Sequence, residues 1–240
     1  MTDLEPIDED WASALAIVAH PDDLEYGTAA AVARWTGQGK QVSYCLATSG
    51  EAGIDGMSPE QAGPLREQEQ RASAGIVGVD QVEFLGFADG VLEYGLALRH
   101  DIARAVRRHR PDVVITGNYH ETWGPGSLNQ ADHIALGRAV LDGVRDAANR
   151  WVFRDLLDEG FQPWPVRQVL VAGGAQTTHA VDVSEHFATG VASLEAHAAY
   201  LSGLGDHPMA DPLEFLESIA RATGTRLGVT FAVAFEVINF

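Results

Sequence analysis

Short apolar runs alternate along the chain with longer amphipathic stretches. Ser13 to Ala19 (SALAIVA) is apolar almost throughout and stops at His-Pro, as a strand buried in a parallel sheet does. Thr28 to Gly37 is Ala-rich and ends in Gly-Gln-Gly, which predicts a helix, and Gln41 to Thr48 predicts a second strand. Ser49 to Pro64 gathers Gly, Ser, Pro and acidic residues and predicts a long loop, a feature that in compact domains tends to carry function. A charged amphipathic helix is predicted over Leu65 to Val77 and a short strand over Val82 to Leu85. The next helix, Leu96 to Arg110, has a basic C-terminal end that suits its dipole.

Pro111 breaks that helix, and Val113 to Gly117 (VVITG) predicts another strand. A second long loop, Asn118 to Gln130, leads into a helix over Ala131 to Ala148. Val166 to Ala172 and His179 to Val183 predict strands, while His186 to Leu201 and Pro212 to Ala222 predict helices. Leu227 to Phe240 predicts a closing strand whose place in the sheet the pattern does not fix. This alternation implies an α/β fold, with a mostly parallel sheet and helices on both faces. No repeat or linker interrupts it. The expectation is one domain over residues 1–240, with residues 1–11 a flexible tail.

Sixteen basic against thirty-four acidic side chains give a formal net charge of −18, which repels phosphate backbones and anionic lipid headgroups. Nucleic acid and membrane surfaces are therefore excluded as expected partners. Arg104, Arg107, Arg108 and Arg110 cluster, with a spacing that reads as the solvated end of a helix. The N-terminus is acidic and polar where a secretory signal would be basic and then apolar, and no run approaches the ~20 apolar residues that cross a bilayer. Cys45 is the single cysteine and lies in an apolar run, which fits a core position and a reducing, cytoplasmic location.

The chemistry concentrates in Ala19-His20-Pro21-Asp22-Asp23-Leu24-Glu25, directly after the first predicted strand. Ligands of open parallel sheets bind at the carboxyl ends of the strands. Three carboxylates and a histidine are costly to gather there unless a cation neutralises them. Histidine and carboxylate suit Zn²⁺, whose catalytic sites have three protein ligands and one open position. Pro21 fixes the chain direction, so His20 and Asp23 can converge while Asp22 faces elsewhere. From the residues alone, Asp22 and Asp23 fit equally well as acidic caps of the next helix. The sequence has no Gly-x-Ser-x-Gly elbow, no phosphate-binding P-loop and no strand-following Gly-x-Gly-x-x-Gly, which excludes the commonest serine-hydrolase and nucleotide-dependent designs.

AHPDDLE resembles the AHPDDxE signature of the PIG-L/LmbE deacetylases, and further blocks follow in the family's order. Thr48-Ser49-Gly50-Glu51-Ala52-Gly53 resembles its T-x-G-E-x-G loop. Arg66-Glu67-Gln68-Glu69, Gly78-Val79, Phe84-Leu85, Asp89-Gly90 and Arg110-Pro111-Asp112 resemble its next stretches, and Asp132-His133 the end of its H-x-D-H motif. Asp182 and Ala196-His197 match weaker positions, so the resemblance runs from about Ala16 to Leu201. It implies a Rossmann-like three-layer sandwich holding Zn²⁺ through His20, Asp23 and His133. It also implies a small-molecule substrate, an N-acetyl amino sugar or related amide. By position Asp22 is then the general base that takes a proton from the zinc-bound water, while Arg66, Asp89 and Glu51 contact the substrate or shape the pocket rim.

One departure matters. Gln130 stands where the family's first H-x-D-H histidine steadies the oxyanion or orients the substrate. An amide donates a hydrogen bond but cannot deliver a proton. His120, in the same loop, is the candidate replacement donor, or else an exposed loop histidine. Three readings therefore stand. They are a deacetylase of an amino sugar or small amide, an amidase of a larger thiol or antibiotic-type conjugate, and a metal-binding protein with catalysis impaired at Gln130. The sequence leaves open whether copies of the chain form a homo-oligomer.

Overall fold

The computed structural model describes residues 3–240. In chain order the elements are β1 (Glu5–Pro6), β2 (Ser13–Val18), α1 (Asp23–Gly27), α2 (Ala29–Gly37), β3 (Gln41–Leu46), α3 (Pro59–Ile76), β4 (Gln81–Phe84) and α4 (Leu96–His109). There follow β5 (Val113–Gly117), β6 (Thr122–Gly124), β7 (Ser127–Leu128), α5 (Ala131–Ala148), α6 (Asp155–Asp158), β8 (Gln168–Ala172) and β9 (His179–Asp182). The chain closes with α7 (Phe187–Glu195), α8 (Ala198–Gly203), α9 (Pro212–Leu227) and β10 (Ala232–Asn239).

Eight strands form one sheet in the order β1-β9-β10-β8-β5-β2-β3-β4. All neighbours pair parallel except β10, which enters antiparallel between β8 and β9. Alternation along β2 separates the two faces. Leu15 and Ile17 join one core with Leu98 and Ile102 of α4 and Leu136 and Val140 of α5. Ala14, Ala16 and Val18 join the other core with Trp35 of α2 and Tyr44 of β3. A three-layer α/β sandwich results, as the alternation of elements implied. No helix of the described residues is long and apolar enough to cross a membrane.

Several expectations are corrected. Helix α3 begins at Pro59 rather than Leu65, because a proline in the first helical turn gives up an N–H that has no partner there anyway. The Asn118 to Gln130 loop contains a β6–β7 hairpin. The predicted helix over His186 to Leu201 is broken at Ala196-His197 into α7 and α8. Residues 3–11 are not a flexible tail: β1 pairs with β9, and Leu4, Ile7 and Trp11 are buried. Arg107 is also no solvated helix end. It is buried, and its guanidinium donates to the carbonyls of Ala147 at 3.0 Å and Asn149 at 2.8 Å, capping the C-terminus of α5.

Candidate metal and active site

The site lies at the carboxyl edge of the sheet, where β2 ends in Ala19-His20-Pro21. Asp22 is the N-cap of α1 with φ 89°, a left-handed conformation that a residue with a Cβ adopts only under constraint. Its N–H donates to Gln70 Oε1 at 3.0 Å and its Oδ2 accepts from Arg66 Nη2 at 2.9 Å. Asp23, one residue on, faces a different set of partners. Its Oδ2 accepts from the backbone N–H groups of Ala19 (3.0 Å) and His20 (2.9 Å), and its Oδ1 lies 3.0 Å from His133 Nε2. The two adjacent aspartates thus serve different groups.

His20 Nδ1 lies 3.6 Å from Asp23 Oδ2, and the ligand atoms of His20, Asp23 and His133 all fall within 4.8 Å of one another. Each imidazole is held by its other nitrogen. His20 Nε2 meets Asp89 Oδ1 at 3.1 Å and Asp132 Oδ2 at 3.3 Å, and His133 Nδ1 meets Asn129 Oδ1 at 3.1 Å. An outer hydrogen bond of this kind fixes tautomer and ring orientation in metal-ligating histidines. His20, Asp89 and Asp132 form a second cluster within the same 4.8 Å limit. There, however, Asp132 already accepts from the N–H groups of Gly90 (2.7 Å) and Leu92 (3.1 Å), and Asp89 accepts from that of Ala52 (2.8 Å). The first cluster is the better cation site.

The electrostatics agree. Burial opposes charge on His20, but Asp23, with Asp132 and Asp89 behind it, outweighs burial and pushes the imidazole up to about 12. His133 is likewise raised, burial being overcome by Asp23. Asp23 is held well below the usual carboxylate range, since the two histidines outweigh its burial. Acidic groups therefore stabilise two extra positive charges on two imidazoles. A divalent cation supplies the same charge to the neutral histidines, and two nitrogens with one carboxylate oxygen match a zinc donor set. The residues fit the ion.

Asp22 is 5% exposed, and burial raises its carboxyl to about 6, with Asp23 adding to the rise and Arg66 opposing it. Arg66 itself is 2% exposed. It also donates to the carbonyls of Pro21 at 2.6 Å and Gly50 at 2.8 Å, and its guanidinium stacks on the Tyr200 ring at 4.4 Å. A Cβ at Gly50 or Gly53 would overlap this guanidinium, and Gly50 has φ 62°, which accounts for both glycines of the Thr48–Gly53 block. Arg66 belongs to a buried polar stripe on α3 with Gln70 and Ser73. Those two donate to Glu25 Oε1 at 2.9 and 2.7 Å. His197, fully buried, sets Nε2 3.6 Å from Glu25 Oε2.

Of the expected substrate contacts, Arg66 and Asp89 line the cavity but spend their hydrogen bonds on the protein. Glu51 Oε1 accepts from Asp89 N–H at 2.9 Å and so braces the same loop. Gln130 is the N-cap of α5 and lines the cavity. The structure does not bring His120 beside it: His120 Nε2 pairs with Glu236 Oε2 at 2.8 Å, and the residue does not line the cavity. Sequence reasoning left unassigned Asp132, Asn129 and Trp123, whose ring lies 5.8 Å from that of His133. Only Asp132 carried a signal, as the residue before His133.

The sequence model of the GlcNAc-PI de-N-acetylase family, PIG-L, matches residues 15–144. The chain belongs to this family. It is similar to the diacetylchitobiose deacetylase of Thermococcus kodakarensis, 28% identical over 190 residues that cover 78% of this chain and 70% of that protein. The solved structure of N,N'-diacetylchitobiose deacetylase from Pyrococcus horikoshii superposes with a TM-score of 0.87 at 23% identity, covering 96% of this chain and 85% of that one. GalB, the 4-carboxy-2-hydroxymuconate hydratase of Pseudomonas putida KT2440, has the same fold, with a TM-score of 0.74 at 16% identity over 95% of this chain and 96% of that one. The fold therefore does not by itself name the reaction.

Proposed function

We propose that the chain is a zinc-dependent hydrolase that removes an N-acetyl or similar acyl group from an amino sugar or related small amide. The observation that carries this reading is the convergence of His20, Asp23 and His133 on one point, with the buried Asp22 beside them and turned to Arg66. Zinc bound there supplies Lewis acidity, lowering the pKa of a water towards ~7 and polarising the acyl oxygen. Deacetylation in relatives such as the Thermococcus protein supports the substrate class.

Asp22 is the general base. Burial brings its carboxyl to about 6, so near neutrality it is ionised yet basic enough to accept a proton. It takes one proton from the attacking water and returns it to the leaving nitrogen as the C–N bond breaks, so that amide and water become amine and carboxylic acid, which then gives up its remaining proton to solvent. Asp132 and Asp89 keep the Nε2 proton on His20, and Asn129 the Nδ1 proton on His133, leaving the opposite nitrogens free to ligate. Gln130, which lines the cavity where His120 does not, is the donor of this reading, its amide stabilising the acyl oxygen as negative charge develops. Arg66, Asp89 and Glu51 fix the loops around this centre.

The test is an assay of released amine across N-acetyl amino sugars and larger conjugates. Turnover that falls on chelation supports the reading. The replacement at Gln130 favours a second reading, a metal-binding protein without catalysis. Metal uptake with no turnover on any member of the panel would establish that reading instead.

A further inference from the structure

The cavity that holds the candidate ligand atoms extends well beyond them. It encloses about 1000 Å³ and runs along one edge of the sheet, past Ala19 after β2, Gly117 ending β5, Ala172 ending β8 and Ala232 starting β10. Because β10 is antiparallel to β8, its first residues lie at the same edge as the last residues of the others. The strands β2, β5, β8 and β10 are successive neighbours, so the trough crosses three strand spacings, about 14 Å at ~4.8 Å each. An acetamido sugar placed at His20 and His133 leaves the β10 end of this trough unfilled.

That end is walled by apolar side chains: Tyr26 of α1, Phe187 of α7, and Phe215, Leu216 and Ile219 of α9. The Tyr26 and Phe215 rings meet edge to face with centroids 5.5 Å apart, and the Tyr26 hydroxyl donates to the Met209 carbonyl at 2.8 Å. The ring is thereby fixed with its hydroxyl satisfied. Ile219 remains 50% exposed on the wall. Thr223 and Arg226 of α9 are among the polar side chains that line the cavity. A second sugar ring, with hydroxyls around its rim, would bury most of them against hydrocarbon without partners, which is costly. An apolar group meets no such cost and gains from leaving water.

We propose that the α9 end of the cavity binds an apolar group carried by the substrate. The substrate class is then an N-acyl amino sugar, or a similar small amide, joined to an apolar aglycone. This rests on the amide hydrolysis proposed above and adds a specificity surface made by α1, α7 and α9.

The test compares methyl and hexyl glycosides of N-acetylglucosamine by amine release. In parallel, calorimetry follows binding of hexyl glucosaminide, the corresponding free amine. A KM for the hexyl glycoside roughly tenfold or more below that of the methyl glycoside is expected, since burying two of its methylenes suffices. Ile219→Asp, at a half-exposed position, should cut this preference to under threefold and weaken binding of the amine to match. Ile219→Ser serves if the aspartate lowers the melting temperature. Turnover with equal KM values would overturn the proposal and leave amide hydrolysis standing. Tight binding of the hexyl amine that Ile219→Asp abolishes, without turnover of any acetamide, would support the apolar site and remove the hydrolase reading. Absence of both turnover and binding would overturn the proposal.

Discussion

Arg66 Nη2 donates to Asp22 Oδ2 at 2.9 Å in a pair almost wholly out of water, with side chains 3% and 8% exposed. The guanidinium opposes the burial that raises Asp22, so the pair sets the ionisation of the candidate base as well as its position. Arg66→Ala strands a buried carboxylate and should cost about 3–5 kcal/mol in chemical denaturation, the range for breaking a buried pair. The sign for activity follows from which form works. The base must be ionised, Arg66 favours the ionised form, and its removal raises the Asp22 pKa. The acid limb of the pH–rate profile should therefore move to higher pH in whichever variant folds, Arg66→Lys less than Arg66→Ala. An unmoved limb would mean that another group governs it.

Asp22 and Asp23 are neighbours with separable roles. Asp22→Asn should leave zinc content near wild type and reduce turnover by ~10²-fold or more, the usual scale for a general base. Elemental analysis and initial rates on the same preparation check both parts. Loss of the metal in Asp22→Asn would make Asp22 a ligand.

Gln130 and His120 are told apart by where they sit. Gln130→Ala should lower turnover by ~10²- to 10³-fold with metal retained, the scale for removing one oxyanion donor. His120→Ala should change turnover little, because its imidazole is held by Glu236. The reverse order of effects would place His120 at the reacting centre in the working enzyme.

Away from the site, Asp112 Oδ2 accepts from the N–H groups of Ala12 (2.8 Å) and Ser13 (3.0 Å), tying the start of β2 to the turn before β5. The Ala12 N–H, joined by that of Ser13 and opposed by burial, holds its carboxyl below the ordinary range. A depressed folded-state pKa stabilises the fold above the unfolded value, ~3.9, and that stability is lost as pH falls through the folded value. Asp112→Asn should cost about 1 kcal/mol at pH 7, discounted because the group is partly exposed. The gap to wild type in urea melts should shrink below about pH 4. A gap that widens with acid would contradict the assignment.

Much of this arrangement was legible because period and punctuation agree. VVITG after Pro111 forms β5 over the residues its pattern marks, and Ala131 to Ala148 forms α5. AHPDD directly follows the apolar run that forms β2, and His20 and Asp23 of that segment lie close to His133. What was not legible depends on contacts distant in sequence. The apolar pattern of β10 is the same for a parallel or an antiparallel strand, so its insertion between β8 and β9 cannot be read from it. The charged spacing of Arg104 to Arg110 looks solvated until α5 ends above Arg107 and supplies the carbonyls that bury it. The polar stripe of Arg66, Gln70 and Ser73 reads as the wet face of a helix. It is buried instead because Asp22, Glu25 and the neighbouring backbone satisfy it. Hydrophobic periodicity places apolar residues inside but cannot show which polar residues find partners there.

The claim that His20, Asp23 and His133 hold a catalytic zinc is tested most directly by a reconstitution titration. Chelator-treated protein would receive zinc in steps while amine release from an N-acetyl amino sugar is followed. Turnover should rise from near zero and saturate at about one zinc per chain, with His133→Ala showing no rise at that stoichiometry. Turnover that survives chelation and is indifferent to added zinc, or an undiminished response in His133→Ala, would contradict it.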